Sequence, residues 1–292
     1  MDVDAIAAGD PARRRTVVVT GGSTGIGSAA ARALHRAGLK VVVTGRDEIR
    51  TKEVADELGT LPVLVDYTDL ADVRRAAAQI LDECGPIDVL ANNAGGTWSD
   101  HRTTIDGYEY NWQVNYLAPA LLTTLLLPRL RASAHPDRPG RVIATSSGIA
   151  RMAKLPIDDG LDAVGRPTSF RGTAQYGTSK LADIHFTREL DRRERHHHLF
   201  AMSFQPGMVA SDLGRNDPFM GRLLASPVGR LMRTPEQGAA TLVWLATADA
   251  SEVRPGAHYA NRKVKKSSDR MCAPEVSARL WELTDQLLAP PA

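Results

Sequence analysis

The feature that most constrains the fold is a glycine-rich segment, residues 20–27, between a β-branched run and an alanine-rich helical pattern. Gly25, Gly27 and Ala30 have the G-x-G-x-x-A spacing, in which small residues allow a tight turn and a close approach of backbone to pyrophosphate. The helix that follows would present free N–H groups to phosphate. The segment predicts a dinucleotide-binding βαβ unit, although a glycine-rich turn without a ligand has the same local pattern. The turn residues expected to contact the cofactor are Gly21, Ser23, Thr24, Gly25, Ile26 and Gly27.

Short β-branched runs alternate with longer helical patterns from residue 15 onward. This alternation predicts parallel strands joined by helical crossovers. We therefore expect an α/β, doubly wound, mostly parallel sheet of about seven strands flanked by helices in a single domain. The predicted strands are residues 16–20, 40–44, 62–65, 87–91, 141–146, 199–205 and 256–259, and the predicted helices include residues 25–37, 70–84 and 174–195.

Two segments rich in glycine and proline, residues 148–173 and 207–234, have no clear period and follow predicted strands. They should lie beyond the carboxyl edge of the sheet, where open α/β sheets bind ligands, so we interpret them as substrate loops. Residues 1–14 are predicted to be a poorly ordered N-terminal extension, and residues 15–292 the catalytic domain.

Charge and cysteine content argue against several classes of function. The 36 basic residues nearly balance the 34 acidic ones, so no strong field points to nucleic acid or to an acidic membrane. The two cysteines, Cys84 and Cys272, lack metal-ligand spacing, and the histidine run 196–198 is expected to be a solvated helix end rather than a metal site. No uninterrupted apolar run reaches the roughly 18 residues of a membrane helix. These observations predict a cytoplasmic protein that binds a small molecule and no metal.

The position about 20 residues after the glycine turn indicates which cofactor is used. An acidic residue there would bind the adenosine 2′-hydroxyl of NAD, but the sequence has Gly45 and Arg46. A guanidinium offers charge and paired donors to a 2′-phosphate, so NADP(H) is predicted over NAD(H). The neighbouring Asp47 keeps NAD(H) open, and Arg46 as a merely solvated charge is the other alternative.

Tyr176 and Lys180 lie four residues apart in a predicted helix, so their side chains share one face. An ammonium one turn away favours the ionised form of a phenol, which suits proton transfer near neutral pH. The alternative is a tyrosine ring that packs over a lysine stem.

Six motifs follow one another along the chain, and their order resembles the short-chain dehydrogenase/reductase family. They are T-G-x-x-x-G-x-G at residues 20–27, Asn92-Asn93-Ala94-Gly95, Asn115, Ser146-Ser147, Tyr176-Gly177-Thr178-Ser179-Lys180 and Pro206-Gly207.

This resemblance implies roles for four catalytic residues. Ser147 would hydrogen-bond the substrate oxygen, Tyr176 would transfer its proton and Lys180 would also hold the nicotinamide ribose. Asn115 would help to position a water in a proton relay, or it is a satisfied polar group within its helix. Adjacent strand residues point to opposite faces, and the resemblance selects Ser147, leaving Ser146 as a structural hydroxyl.

The resemblance also extends the cofactor site beyond the glycine turn. Asn93, Ala94 and Gly95 would line the cofactor. Asp66 would lie near the adenine, or it serves with Asp69 as an acid at a helix N-terminus. In addition, Pro206 and Gly207 would approach the nicotinamide, although a simple turn after a strand explains them nearly as well.

The 28 residues between Ser147 and Tyr176 exceed the spacing of minimal family members. With the flanking motifs, this insertion resembles the retinol-dehydrogenase-like and carbonyl-reductase-like branch. The resemblance implies an NADP(H)-dependent ketoreductase that interconverts a carbonyl and an alcohol on a bulky lipophilic molecule, in secondary metabolism by one interpretation. It also implies a homodimer or homotetramer, assembled through helices such as 174–195, or a monomer. A catalytically silent nucleotide sensor or scaffold, and an epimerase or dehydratase, are the alternatives.

Overall fold

The structure is a computed structural model that describes residues 14–158, 160–209, 232–266 and 272–289. These residues form an α/β domain around an eight-stranded sheet. The strands are β1 (Thr16–Val19), β2 (Lys40–Gly45), β3 (Pro62–Leu64), β4 (Val89–Asn92), β5 (Gly140–Thr145), β6 (Leu199–Gln205), β7 (His258–Ala260) and β8 (Lys263–Val264). The helices are α1 (Gly25–Arg36), α2 (Glu48–Leu58), α3 (Leu70–Glu83), α4 (Tyr110–Trp112), α5 (Ala118–Ser133), α6 (Asp162–Gly165), α7 (Gly172–Glu194), α8 (Pro235–Thr247) and α9 (Pro274–Leu288).

The strand order is β3-β2-β1-β4-β5-β6-β7-β8. Strands β1 to β7 pair in parallel, and β8 is antiparallel to β7. The chain winds outward from β1 in one direction and from β4 in the other, so the strand order reverses between them. In doubly wound sheets the crevice outside the carboxyl ends of the strands at this switch point is the usual ligand site.

Alternate side chains along the central strands enter two separate cores. In β1, Val18 packs with α3, α5, α7 and α9 on one face, whereas Val17 and Val19 pack with α1, α2 and α8 on the other. Strands buried on both faces require nearly continuous apolar sequence, which the run Thr16–Val19 supplies. This two-sided burial fixes the strand ends on which the site is built.

The predicted doubly wound α/β class is confirmed, and the strand count is higher than the predicted seven. The additional strand is β8, a two-residue strand that returns along β7 after a turn at Asn261 and Arg262. The predicted strand 16–20 ends one residue after β1 does, and the predicted strand 87–91 begins two residues before β4 does. Predicted helix 174–195 corresponds to α7, which begins two residues earlier.

Helix α7 is buried on nearly all sides, because the sheet lies beneath it and α9 lies against it. The Phe186 ring stacks on Trp281 of α9 with ring centroids 4.9 Å apart, and His185 Nδ1 lies 2.8 Å from Ser277 Oγ. One face of the helix that was expected to mediate assembly is therefore covered by the chain itself.

The insertion between β5 and α7 has more local structure than its sequence indicates. A 3₁₀ turn (Gly148–Met152) and the short helix α6 interrupt it. Residues 210–231 of the second expected substrate loop, and residues 1–13 of the expected extension, lie outside the described residues. No helix in the described part of the chain combines the length and apolar character that crossing a membrane requires.

Candidate active site

A cleft of about 480 Å³ lies at the carboxyl ends of the central strands. It extends from the ends of β2 and β3, past the turn after β1, to the residues that follow β5 and β6. Every residue predicted to bind cofactor lines it, as do Ser147, Tyr176 and Lys180. The predicted residues that line the cleft are Gly21, Ser23, Thr24, Gly25, Ile26, Gly27, Arg46, Asp66, Asn93, Ala94, Gly95, Ser147, Tyr176, Lys180, Pro206 and Gly207.

The turn after β1 is closed so tightly that a side chain at Gly27 is excluded. A Cβ on Gly27 would lie 2.0 Å from the Gly21 carbonyl oxygen and 2.6 Å from Asn93 Nδ2. Helix α1 begins at Gly25, so its first N–H groups face the cleft. This arrangement suits a pyrophosphate, whose negative charge the helix N-terminus favours.

Thr20, the last residue before the turn, holds the Asn-Asn-Ala-Gly segment in place. Its Oγ1 accepts hydrogen bonds from the backbone N–H groups of Asn93 and Ala94, each at 2.9 Å, and Asn93 Nδ2 donates to the Thr20 carbonyl at 3.0 Å. Nearby, the buried Thr44 hydroxyl lines the cleft without a hydrogen-bond partner among the described residues. A buried hydroxyl of this kind is expected to have a partner, so the cleft fits a polar ligand such as a dinucleotide.

Arg46 follows β2 and is exposed at the end of the cleft that β2 and β3 form, with Nη1 3.5 Å from the Tyr110 hydroxyl. Asp47 is the N-cap of α2, and its side chain accepts from the Arg50 N–H at 3.0 Å. Asp47 also lines the cleft, with its carboxylate engaged at the helix end. Arg50, one turn further along α2, also lines the cleft.

Asp66 and Asp69 make different contacts in the structure. Asp66 lines the cleft, and its Oδ1 accepts from the N–H and the hydroxyl of Thr68, both at 2.9 Å. The N-cap of α3 is Asp69, whose Oδ1 accepts from the Ala71 N–H at 2.8 Å. Asp69 therefore serves the helix N-terminus, and Asp66 lies where the adenine is predicted to bind.

Ser146 and Ser147 differ in surroundings. Ser146 is buried and donates from Oγ to the Lys180 carbonyl at 2.7 Å, which ties the end of β5 to α7. Ser147 is half-buried at the cleft and caps the 3₁₀ turn Gly148–Met152. Both serines line the cleft, but the Ser146 hydroxyl is engaged by the Lys180 carbonyl, which fits the structural role predicted for it.

Lys180 is held by two bonds at the floor of the cleft. Its Nζ donates to the Thr145 carbonyl at 2.9 Å and to Asp183 Oδ2 at 3.0 Å. Burial raises the pKa of Asp183 to about 6, against the opposing effect of the Lys180 ammonium. Sequence reasoning missed Asp183. An acid three residues after Lys180 on the same predicted helix could have indicated the ion pair.

The Asn115 side chain lies in a π-helical turn, Gln113–Leu117, and binds a different segment of the chain. Its Oδ1 accepts from the Gly96 N–H at 2.8 Å, and its Nδ2 donates to the Gly96 carbonyl at 2.9 Å. The amide is thus satisfied by the segment after β4, not within its own helix. Its part in a proton relay stays a prediction.

Two exposed methionines follow β5 and β6 in the chain, and neither is among the residues that line the cleft. Met152 follows β5 and is 87% exposed, and Met208 follows Pro206-Gly207 and is 60% exposed. Trp98 lines the cleft and packs edge-on against Tyr110 with ring centroids 4.6 Å apart. Further cleft residues that sequence reasoning did not assign to the site are Thr44, Val65, Tyr67, Thr68, Arg50, Gly96, Thr97, Tyr110, Val114, Thr145 and Val209.

Among the described residues, no group of three or more His, Cys, Asp and Glu side chains could hold a metal ion. His196, His197 and His198 are exposed at the end of α7, and Arg192 and Arg193 pair with the buried Glu189.

A doubly wound sheet with a dinucleotide cleft and a Ser, Tyr and Lys set defines a nicotinamide-dependent oxidoreductase. The family model for short chain dehydrogenases matches residues 15–156. A Streptomyces sp. (strain C5) protein with the provisional name daunorubicin C-13 ketoreductase DnrU is 37% identical over 274 residues, which cover 92% of this chain and 90% of that protein. Retinol dehydrogenase 14 of Mus musculus is 32% identical over 302 residues, covering 96% and 88%. The structure of the Pseudomonas aeruginosa RhlG/NADP active-site complex has a TM-score of 0.65 and 28% identity, covering 84% of this chain and 93% of that one.

The chain belongs to the short-chain dehydrogenase/reductase family, in its retinol-dehydrogenase-like branch. Members with this set of side chains use a nicotinamide cofactor to interconvert carbonyls and alcohols.

Proposed function

We propose that this protein is an NADP(H)-dependent ketoreductase that reduces a bulky lipophilic ketone or aldehyde to an alcohol. The observation that carries the proposal is one continuous cleft with Ser147, Tyr176 and Lys180 at one end and Arg46 at the other. Ser147, Tyr176 and Lys180 supply a hydrogen bond, a proton and a positive charge beside the reacting carbonyl. Arg46 supplies a cation for a 2′-phosphate.

The side chains divide the chemistry between them. Bound NADPH supplies the hydride. The Ser147 hydroxyl donates a hydrogen bond to the substrate oxygen, and Tyr176 donates its proton to that oxygen as the alcohol forms. Lys180 binds the nicotinamide ribose and favours the phenolate that remains on Tyr176. Asn115 holds the segment after β4 against the cofactor through Gly96 and is the candidate for the proton relay.

The preference for NADP(H) rests on two arginines at the adenosine end. Arg46 and Arg50 both line the cleft, and Asp47 is committed to capping α2. Two guanidinium groups and no uncommitted acid directly after β2 favour a phosphate over a hydroxyl on the adenosine ribose. The relative whose structure is an NADP complex supports the same preference.

The substrate class rests on the apolar rim. Met152 and Met208 follow the neighbouring parallel strands β5 and β6 in the chain, five residues after Ser147 and one residue after Gly207, and both are exposed. Exposed methionines form an adaptable apolar surface. Two relatives carry names that refer to retinol and to daunorubicin, so a bulky carbonyl compound such as a product of secondary metabolism is the substrate class that we propose.

We also propose where the protein acts and which surfaces it could use to assemble. We place the protein in the cytoplasm, acting on a small molecule and not on nucleic acid. A homodimer or homotetramer would have to use surfaces other than the face of α7 that α9 covers.

The test is NADPH consumption by the purified protein with a panel of lipophilic ketones, aldehydes and quinones. Tyr176→Phe should lower kcat about 10³-fold because general acid catalysis is lost, while NADPH affinity stays within about threefold. Tyr108→Phe is the matched control, since Tyr108 is partly buried but does not line the cleft. Full turnover by Tyr176→Phe would contradict the assignment of the proton donor. NADPH binding without turnover on any carbonyl would favour a nucleotide sensor.

A further inference from the structure

Asp183 is the buried partner of the lysine that the proposed reaction uses. Its Oδ2 lies 3.0 Å from Lys180 Nζ, and the side chains of Lys180 and Asp183 are only 6% and 8% exposed. Both residues belong to α7, three positions apart, so the helix itself fixes the pair. An ammonium at this depth is costly without a counter-charge, and Asp183 supplies one.

The pair also restricts the direction of the remaining ammonium hydrogen. A lysine ammonium has three donors. The Thr145 carbonyl accepts one and Asp183 accepts another, which leaves one N–H for a ligand in the cleft. A Cβ on Gly95 would lie 3.5 Å from Lys180 Nζ, so the ammonium lies directly beside the segment that lines the cofactor site.

We propose that Asp183 is a positioning residue, whose carboxylate holds the Lys180 ammonium so that its third N–H points at the nicotinamide ribose. The inference rests on the proposed function, in which Lys180 binds that ribose. Asp183 does not line the cleft, so it acts through Lys180 and not on the substrate.

The affinity for the cofactor should depend on pH through this pair, whereas an acid with only a structural role would leave that affinity unchanged. Burial raises the pKa of Asp183 to about 6, so its carboxylate is lost as the pH falls through that value. The other ionisable groups around the pair are Tyr176 on the same helix and Tyr116 of the π-helical turn, whose pKa is raised mainly by burial. Strand β5 contributes the neutral Thr145 carbonyl, and α9 contributes Thr284, which lies 2.6 Å from the Tyr116 hydroxyl.

The experiment is NADP⁺ binding by calorimetry across about pH 5 to 8 for three proteins. In the wild type, affinity should fall below about pH 6 as Asp183 is protonated and the ammonium loses its anchor. In Asp183→Asn the side chain is neutral at every pH, as protonated Asp183 is, so affinity at pH 8 should already be lower than that of the wild type, and this pH dependence should be lost. In Asp183→Ala both bond and charge are absent, and affinity at pH 8 should fall about tenfold.

Asp191→Asn is the matched control. Asp191 is also a buried acid on α7 and pairs with Arg195, but it lies eleven residues from Lys180, about 16 Å along the helix. This variant should bind NADP⁺ with the pH dependence of the wild type. The 2′-phosphate of the cofactor also titrates near pH 6, so only the difference between wild type and Asp183→Asn is interpreted.

Three results would overturn the inference: a wild-type pH dependence in Asp183→Asn, its loss in Asp191→Asn, or wild-type affinity in Asp183→Ala. If Asp183→Ala does not fold, Asp183→Asn alone decides through its pH dependence. The readout is binding, so it does not depend on turnover. A protein that binds NADP⁺ but reduces no carbonyl would contradict the proposed function. The pH dependence of NADP⁺ binding would still test the role of Asp183.

Discussion

The cofactor half and the substrate half of the cleft are built by different means. The cofactor half consists of the residues directly after β1, β2 and β4, and backbone groups and glycines shape it. The substrate half consists of the segments after β5 and β6, and side-chain contacts from distant parts of the chain hold it. A site made of backbone leaves a fixed pattern of small residues in sequence, and a site made of side-chain contacts leaves none.

The contacts of the substrate half illustrate this. The Gln175 side-chain amide donates to the Val164 carbonyl. The guanidinium of Arg166 lies over the Tyr108 ring, 4.6 Å from its centroid. Each contact joins the insertion to α7 or to the segment before α5.

The most direct test of this difference is to add one methyl group to each half of the cleft. In the cofactor half, Gly27→Ala would place Cβ 2.0 Å from the Gly21 carbonyl oxygen, and the turn would have to open. We expect NADPH affinity to fall at least about 100-fold, because the turn and the first N–H groups of α1 shift together. Fluorescence titration with NADPH measures this.

The matched change in the substrate half is Gly148→Ala. Its Cβ would lie 3.5 Å from the Gln205 side chain, which is an ordinary contact. NADPH affinity should therefore stay within about threefold of the wild type. Equal losses in the two variants would mean that both halves are equally tight, and the comparison would be wrong.

The residues that the sequence assigned to the cofactor site lie in one cleft for a physical reason. Strand, glycine turn and helix are local, and residues 20–27 and Arg46 are positioned by strands whose apolar runs are easily recognised. The carboxyl ends of parallel strands meet at one edge, so motifs far apart in sequence could be placed in one cleft. The finer placement of Asp66 and Asp69 needed the structure, because either acid can cap a helix.

A second, smaller effect tests the cofactor half at its adenosine end. Arg46→Asp should change the ratio of kcat/KM for NADPH over NADH about 100-fold in favour of NADH. The variant removes charge-assisted bonds to the 2′-phosphate and adds a repelling carboxylate. Steady-state kinetics with both cofactors and one good carbonyl measure the ratio.

Arg36→Asp is the control for net charge, because Arg36 ends α1 and does not line the cleft. Its ratio should match that of the wild type. An unchanged ratio in Arg46→Asp, with a changed ratio in Arg50→Ala, would move the phosphate contact one turn along α2.

The sequence could not predict the features that depend on tertiary contacts. Strand β8 has two residues, too few for a period, and forms only because the turn at Asn261 and Arg262 brings it beside β7. The hydrogen bonds of Asn115 to Gly96 cross 19 residues of sequence. Asp183 gained its importance from burial beside Lys180, and burial on all sides of α7 has no helical period to reveal it.

The smallest expected effect belongs to the substrate half. Met152→Ser and Met208→Ser should each raise KM for lipophilic ketones about threefold to tenfold, because each removes roughly one side chain's worth of apolar contact. The kcat and the NADPH affinity should stay unchanged, since neither residue is placed among the groups that transfer hydride or proton. Ile49→Ser is the control, because Ile49 is also an exposed apolar side chain but belongs to α2, which follows β2 and not β5 or β6. If both methionine variants keep the wild-type KM for every ketone that is turned over, the apolar rim does not select the substrate. The residues that do would then have to be sought among Trp98 and its neighbours in the cleft.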